Sequence, residues 1–286
     1  MRFLGRHATL VFVVAFSVGS ARAEKADEAP EMPSPLTDMG THFLRSFIGP
    51  NFVFHLTAVA ETAVLSSQTL DAQTRDYFQQ HRTYGKAAYP LVIAGVLGPM
   101  AVIGGTHLAG RMCDQPELVG ASYAVLQATV LTLGYVTLLK AVTGRPAPRD
   151  ELIPDVASDM ETLSRTFRPG FFRGGVIAGW PSGHVAVATA VTSTLAAYYP
   201  ESVWLKLVTL ASVGSMIGAV TTFQGGGMHW FSDGLAGALM ALPIGLEVGG
   251  GFRRMVRGTG LGRPSAWMIL PSPRTDAPGL VLAYRY

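Results

Sequence analysis

Gly179-Trp180-Pro181-Ser182-Gly183-His184 opens one apolar run, and Met228-His229-Trp230-Phe231-Ser232-Asp233 opens another. Each run approaches the ~20 residues that a helix needs to cross a bilayer. Two histidines and one aspartate are the strongly functional side chains between residues 179 and 233, and each stands at the mouth of a hydrophobic segment. Functional residue types at the ends of membrane-length helices decide the fold. They call for an all-α, polytopic membrane helix bundle whose chemistry sits where helix ends converge.

Composition agrees. Of 286 residues, 49% are hydrophobic and 14% charged, and the mean hydropathy is +0.31. Soluble domains carry about 25% charged residues, so the deficit points to an integral membrane protein. The formal net charge is only +3 and no basic stripe is interleaved with aromatics, which excludes nucleic acid as a partner. The 22 Lys and Arg are better taken as topology signals and phosphate ligands. The single cysteine, Cys113, forms no internal disulfide and reads as an idle thiol. No metal-ligand spacing and no nucleotide motif stands out, so neither a metal nor another cofactor is expected.

At the N-terminus, Arg2 and Arg6 precede the apolar run Ala8 to Gly19, and Ala21-Arg22-Ala23 follows with small residues. That pattern reads as a signal peptide over 1–23, cleaved after Ala23 or retained as an anchor. Residues 24–46 read as a disordered leader, 47–250 as the helix bundle, and 251–286 as a basic flank and tail. Six spans are expected, at about 47–66, 88–109, 119–140, 183–199, 203–222 and 230–248. The first holds Pro50, His55 and Glu61, and is either a span or an interfacial, partly packed helix. The tail from Pro264 is either a small hairpin or loosely ordered. His42 and His81 read as solvated, His107 as a packed or interfacial histidine, and Trp180, Trp204 and Trp230 as interfacial anchors. Arg253, Arg254 and Arg257 flank the last span, and such short basic flanks stay in the cytoplasm. Counting back from them puts Lys140, His184, His229 and Asp233 at the external face of a bacterial cytoplasmic membrane.

His229 and Asp233 are four residues apart at a helix start, so they share a face. The carboxylate holds one ring nitrogen and leaves the other as nucleophile or base. Ser182 stands where it caps the helix beginning at Gly183, and a helix N-terminus with its free N–H groups is an anion site. His184 in the first turn suits a general acid. Lys140 supplies a cation at the same level, with Arg145 and Arg149 on the following loop. Together these residues describe a phosphate site.

The segment Pro181-Ser182-Gly183-His184, with His229 and Asp233 in MHWFSDGLAG, resembles the second and third signature motifs of the type 2 phosphatidic acid phosphatases. Their superfamily also includes vanadium haloperoxidases and lipid phosphotransferases. The string from Lys140 to Pro148, KAVTGRPAP, resembles the first motif, and the resemblance covers about residues 88–248. It implies that His229 attacks phosphorus to give a phosphohistidine, that Asp233 orients it, and that His184 protonates the leaving group. It further implies that Lys140, Ser182 and Gly183 hold phosphate oxygens. The substrate implied is a lipid phosphate or phosphodiester in the membrane.

Two departures from the pattern matter. The first-motif arginine falls on Ala147, and the third-motif Ser-Arg falls on Thr222 and Phe223. Arg145 imitates the former only by shifting register, and is kept as a candidate phosphate ligand; Arg149 and Arg173 are further loop cations. A monoester is largely dianionic near neutral pH, and bidentate arginines are among the strongest ways to hold it. A diester carries one charge and needs less compensation. Three activities therefore stand beside one another: lipid phosphatase, diester-directed phosphotransferase or phospholipase-like enzyme, and a lipid-binding protein without catalysis.

Overall fold

The computed structural model describes residues 32–81, 84–148, 160–169, 179–223, 227–258, 266–271 and 280–285. The signal-like residues 1–23, leader residues 24–31, Arg149 and Arg173 lie outside them, while the expected disordered leader departs from expectation at Met39–Arg45, which is helical. Its helices are α1 (Met39–Arg45), α2 (Asn51–Ser67), α3 (Leu70–His81), α4 (Ala88–Met112), α5 (Pro116–Thr143), α6 (Met160–Arg165), α7 (Gly183–Tyr198), α8 (Val203–Thr222) and α9 (Phe231–Val256). Strands β1 (Ala266–Pro271) and β2 (Leu280–Arg285) pair antiparallel, with Ala266 opposite Arg285. The tail thus takes the hairpin alternative.

Among the described residues, four helices, Gly85–Met112, Pro116–Thr143, Val203–Thr222 and Phe231–Val256, are long and apolar enough to cross a membrane. Local chemistry sets their ends. Pro116 occupies the first turn of α5, where its missing N–H costs nothing, and Gly144 closes the helix at φ 51° with its N–H on the Lys140 carbonyl. Ser202 caps α8 by accepting the Leu205 N–H. The outward faces stay apolar, with Leu56 and Val59 on α2, Val96 and Leu97 on α4, and Leu207 and Leu210 on α8 all exposed. Lipid is the solvent that suits such a surface.

The expected span 183–199 forms as α7, which has 16 residues and is therefore about 24 Å long at 1.5 Å per residue. It need not match the ~30 Å hydrocarbon thickness, because it is the inner pillar of the bundle. Ala186, Val187, Ala190 and Val191 on α7 pack with Ala124, Val125 and Ala128 on α5 and with Ala241, Ile244 and Val248 on α9. Small residues make the α7–α9 seam tight. A Cβ added at Gly237, Gly245 or Gly249 would run into Ser182 O, Ser193 Oγ or Thr194 O respectively. Close backbone approach of this kind drives helix association where the hydrophobic effect between helices is absent.

The segment expected at 47–66 begins after Pro50, as α2. Its Asn51 donates to Glu247 near the far end of α9, and its Thr62 accepts the Trp180 Nε1–H near the start of α7. It therefore runs along the bundle, antiparallel to α9. His55 is buried, with Nε2 2.9 Å from the Ser46 carbonyl and its ring stacked on Phe47, so it is a packed histidine. His42 departs from the solvated reading. It is 3% exposed, with Nδ1 2.7 Å from Gln127 Oε1, because α1 tucks against α5 and α9. Trp180 and Trp230 are likewise buried rather than interfacial, and Trp204 alone of the three is exposed.

Candidate active site

Three stretches knit together at one end of the bundle. The Lys140 ammonium donates to the Gly179 carbonyl at 2.8 Å, and Thr143 Oγ1 donates to the Trp180 carbonyl at 3.1 Å. Gly179 takes φ 99°, and a Cβ there would strike the Arg145 carbonyl, so glycine is required by both backbone and space. The Ser182 N–H donates to the Asp233 carbonyl at 2.8 Å, locking the start of α7 to the first turn of α9. Trp230 Nε1–H donates to the Pro146 carbonyl at 2.8 Å and closes the triangle.

This knot brings His184 and His229 together, with ring centroids 6.5 Å apart. They are too distant to bond each other and near enough to contact one tetrahedral anion. His229 is 4% exposed, and its Nδ1 lies 3.4 Å from Asp233 Oδ2, which also accepts the Trp230 N–H at 3.1 Å. Burial pushes the His229 imidazole down to about 4, with the charge of Lys140 the next cause. At neutral pH the ring is uncharged, as a nucleophile must be. Ser182 occupies the N-cap of α7, but its hydroxyl makes no capping bond. That oxygen is fully buried without a partner. Gly183 begins α7 beside the Lys140 stem, 3.9 Å from where its Cβ would stand.

Arg145 is placed differently from the expectation. Its guanidinium does not line the space between the histidines; it lies behind Asp233, with no exposed side-chain surface. Nη1 donates to Asp233 Oδ1 at 2.5 Å and to Ser232 Oγ at 2.7 Å; Nη2 donates to Asp71 Oδ2 at 2.6 Å. Nε and Nη2 both reach the Ser164 carbonyl, at 2.9 and 2.6 Å. The rings of Phe167 and Trp230 stack near it, at 5.2 and 5.6 Å. A planar fork with its donors spent inside the protein has no edge left for a phosphate. Asp71, Ser164 and Ser232 are the site residues that sequence reasoning misses. Only Ser232, inside the MHWFSD string, carried a local hint.

The positions that break the motif pattern are described as well. Ala147 is half-buried on the loop after α5, and Phe223 ends α8 with its ring 4.8 Å from Tyr89. Lys140 contacts the His184-bearing stretch, and its charge also bears on His229.

Comparison with known proteins adds one match. A family model described as the PAP2 superfamily covers residues 120–248. No curated protein and no solved structure matches the chain. The matched span holds Lys140, Arg145, Ser182, His184, His229 and Asp233; Asp71 falls outside it.

Proposed function

We propose, for a chain whose residues 120–248 belong to the PAP2 superfamily, that it cleaves or transfers a phosphate group on a membrane lipid through a phosphohistidine. The superfamily supplies the broad class, lipid phosphatases and phosphotransferases. The observation that carries the reading is the 6.5 Å separation of the His184 and His229 rings, with Asp233 held against His229. In the first step the free ring nitrogen of His229 attacks phosphorus. A P–N bond forms, the bond to the leaving oxygen breaks, and His184 gives that oxygen its proton. In the second step water or an acceptor alcohol attacks phosphorus, the P–N bond breaks, and His184 takes the proton of the incoming hydroxyl. Asp233 steadies the imidazolium that phosphorylation creates. Lys140, Ser182 and the first N–H groups of α7, Gly183 included, hold the phosphate oxygens.

A second reading concerns the substrate. Arg145 is consumed behind Asp233, so the described cation beside the histidines is Lys140. That charge matches a singly charged phosphodiester better than a dianionic monoester. The basic residues Arg253, Arg254 and Arg257 sit at the end of α9 remote from the histidines, which supports a site on the external face.

Incubation with phosphorus-labelled lipid, followed by acid treatment, is the decisive experiment. Wild-type protein is expected to carry an acid-labile label, and His229→Ala to carry none and to lose turnover by at least about a thousandfold. Comparing phosphatidic acid with a diester lipid in the same vesicles separates the two substrate readings. Identical lipid profiles for wild-type and His229→Ala would leave a lipid-binding protein without catalysis.

A further inference from the structure

Asp71 stands in the first turn of α3, outside the span that matches the superfamily, yet its carboxylate is buried against the start of α9. Oδ1 accepts the Ser232 N–H at 3.0 Å, so α3 caps α9 from outside that helix. Oδ2 accepts from Ser232 Oγ and from Arg145 Nη2, both at 2.6 Å. Arg145 is therefore shared between two carboxylates at nearly equal distance, Asp71 and Asp233, and none of the three side chains is exposed. In such a dry setting an unbalanced charge is felt strongly by its neighbours.

We infer that Asp71 is a positioning residue for the His229–Asp233 pair, one that holds half of Arg145 so that Asp233 stays available to His229. The inference rests on the phosphohistidine reading. With Asp71 neutral, the whole guanidinium charge falls on Asp233. Its Oδ1 bond to Arg145 then competes with the longer Oδ2 contact to His229, and an uncompensated cation opposes the imidazolium that forms on phosphorylation. Phosphate capture belongs to Lys140, Ser182 and the α7 N-terminus, which this change leaves in place. The loss therefore appears in kcat and not in KM.

The experiment uses the full chain in vesicles containing phosphatidic acid and a phosphodiester lipid, with kinetics normalised to folded protein. Asp71→Asn is expected to lower kcat on the order of tenfold to a hundredfold, as loss of a partner that orients a functional side chain does, with KM within about twofold. Ser232→Ala keeps every charge and removes one link; it is expected to lower kcat a few-fold. If Asp71→Asn does not fold, Ser232→Ala decides. A folded variant of either kind with wild-type kcat overturns the inference while a His229-dependent adduct leaves the function standing. A wild-type protein that forms no adduct removes both.

Discussion

The two sides of Asp233 are built on opposite rules. On the side of the histidines, groups are left wanting among the described residues: Ser182 Oγ has no partner, His184 is half-buried, and the N-terminus of α7 has no side-chain cap. On the other side every donor is spent, with Arg145 bonded to Asp71, Asp233, Ser232 and Ser164. An anion site must keep its hydrogen-bonding capacity for the anion, whereas its foundation must leave no charge unpaired. Arg145 is spent in the foundation, and among the described residues that leaves the histidine side poor in cations.

The contrast breaks most violently at Arg145. Arg145→Met would leave Asp71 and Asp233 buried without the guanidinium they share; stability is expected to fall by about 3–5 kcal/mol, visible as a lowered melting temperature. A melting temperature within a degree or two of wild type would mean that the foundation is not charge-balanced as described.

Acid sharpens the same contrast by a smaller amount. An unfolded histidine titrates near 6.5, and His229 is pushed down to about 4 by burial. The folded value is the lower one, so the unfolded chain binds the proton more readily. The contribution of His229 to stability is whole above about pH 6.5 and is lost as pH falls toward about 4, on the order of 3 kcal/mol across the window. A melting series over that range should slope downward, and His229→Gln should flatten it. The acid limb of kcat/KM should likewise lie near 4 and not near 6.5.

The smallest effect comes from adding a cation to the poor side. Phe223→Arg restores charge at the end of α8, at the cost of the ring contact with Tyr89. Competitive inhibition by orthovanadate should tighten several-fold, consistent with one charge-assisted hydrogen bond at a partly wet site. Unchanged inhibition would place Phe223 away from the anion.

Much of the scaffold was legible because membrane helices announce themselves by length and composition. Residues 203–222 coincide with α8, and 183–199 differs from α7 by one residue at its end. The ends of α5 and α9 run past the expected spans, to Thr143 and Val256, since helices continue into polar flanks that a hydropathy window discards. The candidate residues of the catalytic side lie in short strings, GWPSGH and MHWFSD, where spacing carries meaning. The foundation had no such string. Asp71 meets Arg145 across 74 positions and Ser232 across 161, and a lone acid in the polar helix LDAQTRDYFQQH looks the same as a solvated one. The burial of His42 is hidden from the sequence for the same reason, its partner Gln127 being 85 positions away.

The seam of Gly237, Gly245 and Gly249 has a bearing on chemistry that occurs well above most of it. The backbones of α7 and α9 touch there, and their first turns carry His184 and Asp233. The span between the imidazoles is thus gauged from within the hydrocarbon layer. Gly245 lies three turns down α9 from Asp233, about 18 Å along the axis, and a single methyl at that depth would strike Ser193 Oγ and the Ala190 carbonyl on α7. The spacing of the two helix mouths is thus set by a buried wedge of small residues lying at membrane depth.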